Sequence, residues 1–350
     1  MSAADSARVL DLANAHWSAA ALLAGAELGV FAALDADPAD APALAARTGL
    51  PVGRLRALLD ALAALGLLDK DDGSPPRGEG ASAAAARGAE GARYRNSAAA
   101  AALLVPGKPG SLAGALRYNA ELFGAWARLA DAVRNDGPVV PSPTYLGQDP
   151  ARTRAFVESM HQRALGMGHA IAGAMDLAGR THLVDVGGGP GTLAAILCRR
   201  TPGLRATVLE LGPVAEVGRT LIAEQGLADR VRFVTCDVLA EDLGTGYDAA
   251  LVSGLLHREP PDACRVLLRR LHAALLPGGE AHLVDVMRDA TRTGPPFAAL
   301  FALNMLLVSE RGGCHADVDH VGWLEEAGFS GAHVRRLPAP MVHTIVSAAR

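Results

Sequence analysis

The stretch Asp185-Val-Gly187-Gly-Gly189-Pro-Gly191-Thr192 is where this chain concentrates residues able to do chemistry. An apolar run, Leu183–Val186, leads into a glycine turn, and a helix is predicted to start near Thr192. Glycine lets a backbone approach a ligand closely, and a helix N-terminus offers unpaired amides to it. A second apolar run, Ala206–Leu209, ends in Glu210, at the distance where an acid reaches a ribose hydroxyl. A third ends in Thr235-Cys-Asp237-Val238, placing a carboxylate and a neighbouring amide to meet an adenine edge. Each acid alone reads as a strand-end cap. Together, at the carboxyl ends of successive strands, they point to a nucleoside-type cofactor. A dinucleotide fingerprint would carry glycine or alanine at position 192, where this chain has threonine.

The elements that must position these residues follow from periodicity. From His182 onward, strand candidates at 182–187, 206–210, 231–236, 247–255, 280–287, 331–337 and 343–348 alternate with amphipathic helices near 191–200, 213–225, 261–275, 297–308 and 317–327. That alternation predicts an α/β, Rossmann-like doubly wound sheet, and the short link at Ala339-Pro340 predicts an antiparallel hairpin at its end. Pro277-Gly278-Gly279 reads as a turn before the fifth strand. The amino-terminal region reads as helical. Helices are expected over 7–35, 111–133 and 150–177, and Ala43–Thr48, Val52–Leu65 and Leu67–Leu68 are expected as the helices of a winged-helix unit. The Gly/Ala/Ser/Pro-rich stretch from about Asp71 to Ala92 has no periodicity and is expected to be a mobile wing insertion or a disordered loop.

Composition removes several classes of function. A chain of 350 residues with a net charge of -4 does not offer a dedicated nucleic-acid surface. The recognition-helix candidate carries Arg54 and Arg56 and then turns apolar through Leu58, Leu59, Leu62 and Leu65, so a DNA-reading winged-helix regulator is the weaker reading. No apolar run approaches the length of about 18 residues that spans a bilayer, and no signal-peptide pattern opens the sequence. Cys198, Cys236, Cys264 and Cys314 are scattered without metal-type spacing, which favours reduced thiols, a cytoplasmic location and no bound metal.

With these motifs in place, nearly the whole chain resembles the two-domain class I S-adenosylmethionine-dependent methyltransferases of the plant caffeate and bacterial natural-product O-methyltransferase type. The resemblance implies a dimerisation domain over 1–110, a helical connector over 111–177 contributing to an acceptor pocket, and a catalytic domain over 178–350. It implies that Asp185, Gly187, Gly189 and Gly191 serve the methionine part of S-adenosylmethionine, Glu210 the ribose, and Asp237 and Val238 the adenine, with Ser253 lining the pocket. His257 matches the general base; an imidazole titrating near pH ~6.5 can take a phenolic proton. Asp285 matches the acid that orients it, and Met160, His161, Asn304 and Met305 match positions beside the acceptor. The chain departs from the family at Arg258-Glu259, where relatives carry Asp-Trp, and at Gly312-Gly-Cys-His315-Ala-Asp317, where many carry an acid in Glu-Arg-Thr. His315 is therefore taken as a second acid/base, or as an imidazole helping His257 and Asp285 hold a metal, the less favoured choice. The expected function is methyl transfer to a hydroxyl of a small aromatic or polyketide-like metabolite by a homodimer joined through its N-terminal helices. The alternatives are C- or N-methylation, a non-methylating homologue and, less favoured, a nicotinamide oxidoreductase.

Overall fold

Glycines at the ends of predicted helices set the first boundaries. Helix α1 (Ala3–Glu27) stops before Gly29, whose φ of 71° no bulky residue adopts readily, and α2 (Val30–Ala33) follows as a separate turn. The computed structural model describes residues 3–71, 91–108, 110–140, 147 and 149–350. Most of the expected mobile insertion, at 72–90, lies outside the described residues. The chain divides into two compact units, Met1–Glu121 and Leu122–Arg350.

In the first unit, Asp40 caps α3 (Ala41–Thr48) by accepting from Ala43 N at 2.8 Å, and α4 (Val52–Ala64) follows. Strands β1 (Ala39–Asp40), β2 (Leu68–Asp71) and β3 (Arg93–Asn96) form an antiparallel sheet in the order β1-β3-β2. Leu68 therefore opens a strand and is not helical as expected. The cause is Gly66: Leu67 N returns to Leu62 O at 2.9 Å, and the chain leaves the helix there. Val30, Phe31, Leu44, Leu59, Leu62 and Tyr94 pack the core of this unit. Helix α5 (Ala98–Leu103) is capped by Ser97.

The expected helix over 111–133 is broken into α6 (Ala113–Trp126) and α7 (Leu129–Asn135), and the division between the units falls inside α6. In the second unit, Asp149 and Pro150 start the long α8 (Pro150–Ala174), with Asp149 Oδ1 accepting from Ala151 N and Arg152 N at 3.0 and 3.1 Å. The sheet is then built by β4 (His182–Val186), β5 (Arg205–Glu210), β6 (Val231–Thr235), β7 (Tyr247–Ser253), β8 (Leu275–Asp285), β9 (Ser330–Arg336) and β10 (Thr344–Ala349). Their order is β6-β5-β4-β7-β8-β10-β9; β10 runs antiparallel to both neighbours, and the other pairs are parallel.

Helices cover both faces, so the central strands read as continuous apolar runs, not alternating ones. Leu183, Val184 and Val186, like Ala250, Leu251 and Val252, are buried. One face packs on α8 and α9 (Thr192–Arg200), the other on α11 (Pro261–Ala274) and α13 (Asp317–Glu326); α10 (Gly212–Glu224) and α12 (Pro296–Val308) complete the unit. Strand β8 begins earlier than expected, at Leu275. Tyr247 pairs with Leu275 and Ala249 with Glu280, so the Pro277-Gly278-Gly279 turn is an irregularity inside the strand. The sheet reverses its build direction beside β4, and ligands settle at the carboxyl edge of such a point.

Candidate functional site

At the end of β4, Gly187 still pairs with β5, donating to Leu209 O at 2.9 Å, and then takes a φ of 65°. The loop ends at Gly191, which caps α9 with a φ of 72°; a Cβ there would stand 2.8 Å from the Phe233 ring. Among the described residues no side chain caps α9, so its first amides face the loop as donors open to a ligand. Asp185 lies beneath. Its carboxylate is buried, and neither oxygen has a hydrogen-bond partner among the described residues. Burial, and after it the charge of Glu210, pushes this acid up to about 7. A Cβ on Gly188 would come within 2.5 Å of that carboxyl, so glycine is required there.

Glu210 ends β5 with its carboxylate turned to the loop, accepting from Gly189 N and from Leu211 N, both at 2.8 Å. Burial raises its pKa against the opposing effect of those two amides and of the Arg258 charge. Asp237, past the end of β6, is exposed, and its Oδ1 accepts from Leu239 N at 3.0 Å. Val238 tucks its side chain into the core, and Ser253 ends β7 half-buried. The predicted cofactor residues thus stand at the carboxyl ends of β4, β5, β6 and β7.

His257 sits on a 3-10 turn, Leu256–Arg258, just after β7. Its Nδ1 donates to Asp285 Oδ1 at 2.7 Å, and its backbone N lies 3.3 Å from Oδ2. Asp285 ends β8, fully enclosed, and Val286 N also donates to Oδ1 at 2.8 Å. Burial alone would raise this acid; the charge and hydrogen bond of His257 outweigh it and hold Asp285 below the usual carboxylate range. Phe301 on α12 meets the His257 ring edge to face at 5.0 Å. A carboxylate held ionised beside Nδ1 keeps the proton there and leaves Nε2 as the ring's acceptor.

His315 lies on the run that follows α12. Its ring is buried against Trp323, with centroids 4.9 Å apart, and Nε2 donates to the Glu259 carbonyl at 2.9 Å. Burial lowers its pKa. The run around it packs on the base's backbone: Gly313 N donates to His257 O at 2.9 Å, and a Cβ on Gly312 would meet Arg258 O at 2.8 Å. Cys314 Sγ, in turn, donates to Val286 O at 2.9 Å. Among the described residues, no group of three or more His, Cys, Asp or Glu side chains is placed to hold a metal ion.

The donor set fits S-adenosylmethionine: an unfilled helix start, a glycine cradle over an unpartnered acid, and carboxylates at the ends of β5 and β6. Residues 126–330 match the O-methyltransferase domain, and residues 10–106 match the O-methyltransferase dimerisation domain. The chain belongs to this O-methyltransferase family. It is an S-adenosylmethionine-dependent methyltransferase. It is 33% identical over 344 residues to the 3-hydroxy-5-methyl-1-naphthoate 3-O-methyltransferase of Streptomyces sahachiroi, covering 96% of this chain and 93% of the relative. It is 34% identical to the tetracenomycin polyketide synthesis 8-O-methyltransferase of Streptomyces glaucescens, over 95% of this chain and 94% of that one. Human N-acetylserotonin methyltransferase, solved in complex with S-adenosylmethionine, superimposes with a TM-score of 0.86 at 25% identity, covering 100% of this chain and 99% of that one.

The residues expected on the methyltransferase's acceptor side separate. Met160 is half-buried on α8, and Met305 is buried on α12. Asn304 Oδ1 accepts from Trp126 Nε1 at 3.1 Å, joining α12 to the end of α6. His161 faces the cofactor loop, its Nδ1 bonded to Thr192 Oγ1 at 2.8 Å. Thr192 is the first residue of α9, so this bond joins α8 to the cradle. Phe301 was missed from sequence, although it precedes Asn304 by one helical turn. That spacing was the available signal.

Proposed function

We propose that this methyltransferase transfers the methyl group of S-adenosylmethionine to a hydroxyl of a small aromatic or polyketide-like molecule, with His257 as general base. One observation carries the reading: the 2.7 Å bond from His257 Nδ1 to the enclosed Asp285 carboxylate. When bound, the cofactor supplies a sulfonium-activated methyl electrophile. Gly187, Gly189 and Gly191 give its methionine end room, Glu210 accepts from the ribose, and Asp237 and Val238 take the adenine edge. Asp285 keeps the Nδ1 proton in place, so Nε2 receives the hydroxyl proton as the oxygen is alkylated. Positioning supplies the larger share of acceleration, about 7–11 kcal/mol, and the base a further factor of about 10²–10⁴. His315 is given a supporting part, since its Nε2 is engaged by the Glu259 carbonyl.

The relatives named above act on a hydroxynaphthoate and on a tetracenomycin polyketide, which supports an aromatic acceptor here. The dimerisation-domain match supports a homodimer joined through the N-terminal helices, and four buried free thiols support a cytoplasmic location. The test is a panel of hydroxylated aromatics incubated with S-adenosylmethionine, with products located by mass spectrometry and NMR. Methyl ethers are expected, and products methylated only on carbon or nitrogen would overturn the reading.

A further inference from the structure

The turn that carries His257 leaves three carbonyls it cannot satisfy itself. Around Leu256–Arg258, the amides of Arg258 and Glu259 reach back to Leu255 O and Leu256 O at 3.0 and 3.1 Å. A 3-10 turn this short has no donors for the carbonyls that follow, and Pro260 and Pro261 bring no amides. The carbonyls of His257, Arg258 and Glu259 must therefore find partners elsewhere. All three find them on one segment, between α12 and α13. Gly313 N donates to His257 O at 2.9 Å, Ser309 Oγ to Arg258 O at 3.3 Å, and His315 Nε2 to Glu259 O at 2.9 Å.

The same segment is tied to the chain that leaves Asp285. Cys314 Sγ donates to Val286 O at 2.9 Å, and Arg288 N donates to His315 O at 3.1 Å. Arg288 and Ala316 then form a parallel bridge, with Asp317 N donating to Arg288 O at 2.9 Å. One partner of the His257–Asp285 pair is thus held from the carbonyls behind it, and the other from the residues after it. Strands β7 and β8 pair as far as Ser253 and Val284, and Gly254 N still reaches Val284 O at 3.0 Å. Beyond that point the segment ties the two strand ends together. Gly312 is fitted to the task. A Cβ there would stand 2.8 Å from Arg258 O and 2.9 Å from His257 O, backbone atoms that yield only if the turn moves.

We infer that Ser309–Ala316 is a strap that sets the distance between His257 and Asp285, with Gly312 and His315 as its positioning residues. The effect on turnover rests on His257 acting as the base. Misplacing a reacting group by about 1 Å can cost about 10²-fold, so the strap governs the rate without touching acceptor or cofactor.

The experiment reads the pair directly, through the proton NMR signal of the His257 Nδ1 hydrogen, assigned by its loss in His257→Ala. His315→Phe keeps a ring against Trp323 and removes the donor, whereas His315→Gln restores an amide donor near the place of Nε2. Gly312→Ala keeps the bonded side chains and crowds the turn. In His315→Phe and Gly312→Ala the signal is expected to move upfield or vanish into exchange with water. In His315→Gln it should return toward its parent position. Calorimetric affinity for S-adenosylhomocysteine should stay within about twofold, while kcat for the hydroxylated aromatic methylated fastest falls about ten- to hundredfold. Thermal melts identify the variants that fold, and either of the two disruptive variants decides alone.

A segment that only stabilises the fold would lower the melting temperature and leave the signal in place. An unmoved signal in a folded disruptive variant, or a shift that His315→Gln fails to reverse, overturns the strap. A loss of S-adenosylhomocysteine affinity as large as the loss of kcat also overturns it, by placing the segment on the cofactor side. A moved signal with parent-like turnover overturns the base assignment alone, and a parent protein without the signal overturns both.

Discussion

His257 Nδ1 and Asp285 Oδ1 are 2.7 Å apart, and Asp285 is the more deeply enclosed partner, so the carboxylate fixes the tautomer of the imidazole. Asp285→Asn replaces an acceptor with an amide that stabilises the wrong tautomer or rotates away. It should lower kcat by about 10²–10⁴ with little change in cofactor affinity. His257→Ala should lose a similar factor in kcat. Parent-like turnover in His257→Ala would remove this residue from the mechanism.

The His161–Thr192 bond predicts a different signature. Because it joins α8 to the first residue of α9, His161→Leu should loosen the cradle and leave the base intact. The KM for S-adenosylmethionine is expected to rise about two- to tenfold with kcat nearly unchanged, the size of one lost neutral hydrogen bond. Steady-state kinetics with each substrate varied in turn separate the two constants. An effect confined to the acceptor's KM would place His161 on the acceptor side after all.

The raised acid beneath the loop makes stability depend on pH. Unfolded, Asp185 ionises near ~3.9, whereas in the fold it is held at about 7. The ionised form is thus disfavoured by folding: the penalty is absent below the unfolded value, grows as pH rises, and is complete above about 7. Asp185→Asn removes it. The stability difference between variant and cofactor-free parent should therefore shift in the variant's favour by on the order of 3 kcal/mol between pH 4 and pH 8. Denaturant unfolding at both pH values measures this, and a pH-independent difference would contradict it.

Helix α1 exposes Val9, Leu10, Leu12 and Trp17, with Leu12 at 69% and Trp17 at 63%. So much apolar surface on one helix of the dimerisation domain predicts a partner for it. Leu10→Glu with Trp17→Glu should shift the protein from dimer to monomer by light scattering, and full dimer retention would move the interface elsewhere.

What the sequence disclosed was set by local pattern. The glycine loop, Glu210 and Asp237 each terminate an apolar run, and a run's end maps onto one edge of a parallel sheet whatever the helices do. The pairing of His257 with Asp285 was implied by the family resemblance, and the fold provides it because β7 and β8 are adjacent and parallel. The direction of His161 depends on the rotation of α8, which its apolar spacing leaves open by a full residue. That Thr344 lies opposite Asp285 depends on strand order, because β10 lies inside β9 in the sheet. The packing of the Gly312–Asp317 run was not legible either, because the close approach of Gly312 to the backbone of His257 and Arg258 is set by tertiary contact.

The inward position of β10 also has a consequence for assembly. The cofactor edge, β4 through β6, is made of strands consecutive in the chain, and it can form while later residues are still emerging from the ribosome. Strand β8, by contrast, gains its outer neighbour only when Thr344 arrives across from Asp285, after β9 has been made and passed over. A nascent chain stalled before that strand would hold both the cofactor cradle and the strands that carry His257 and Asp285, on a sheet whose β8 edge is still open.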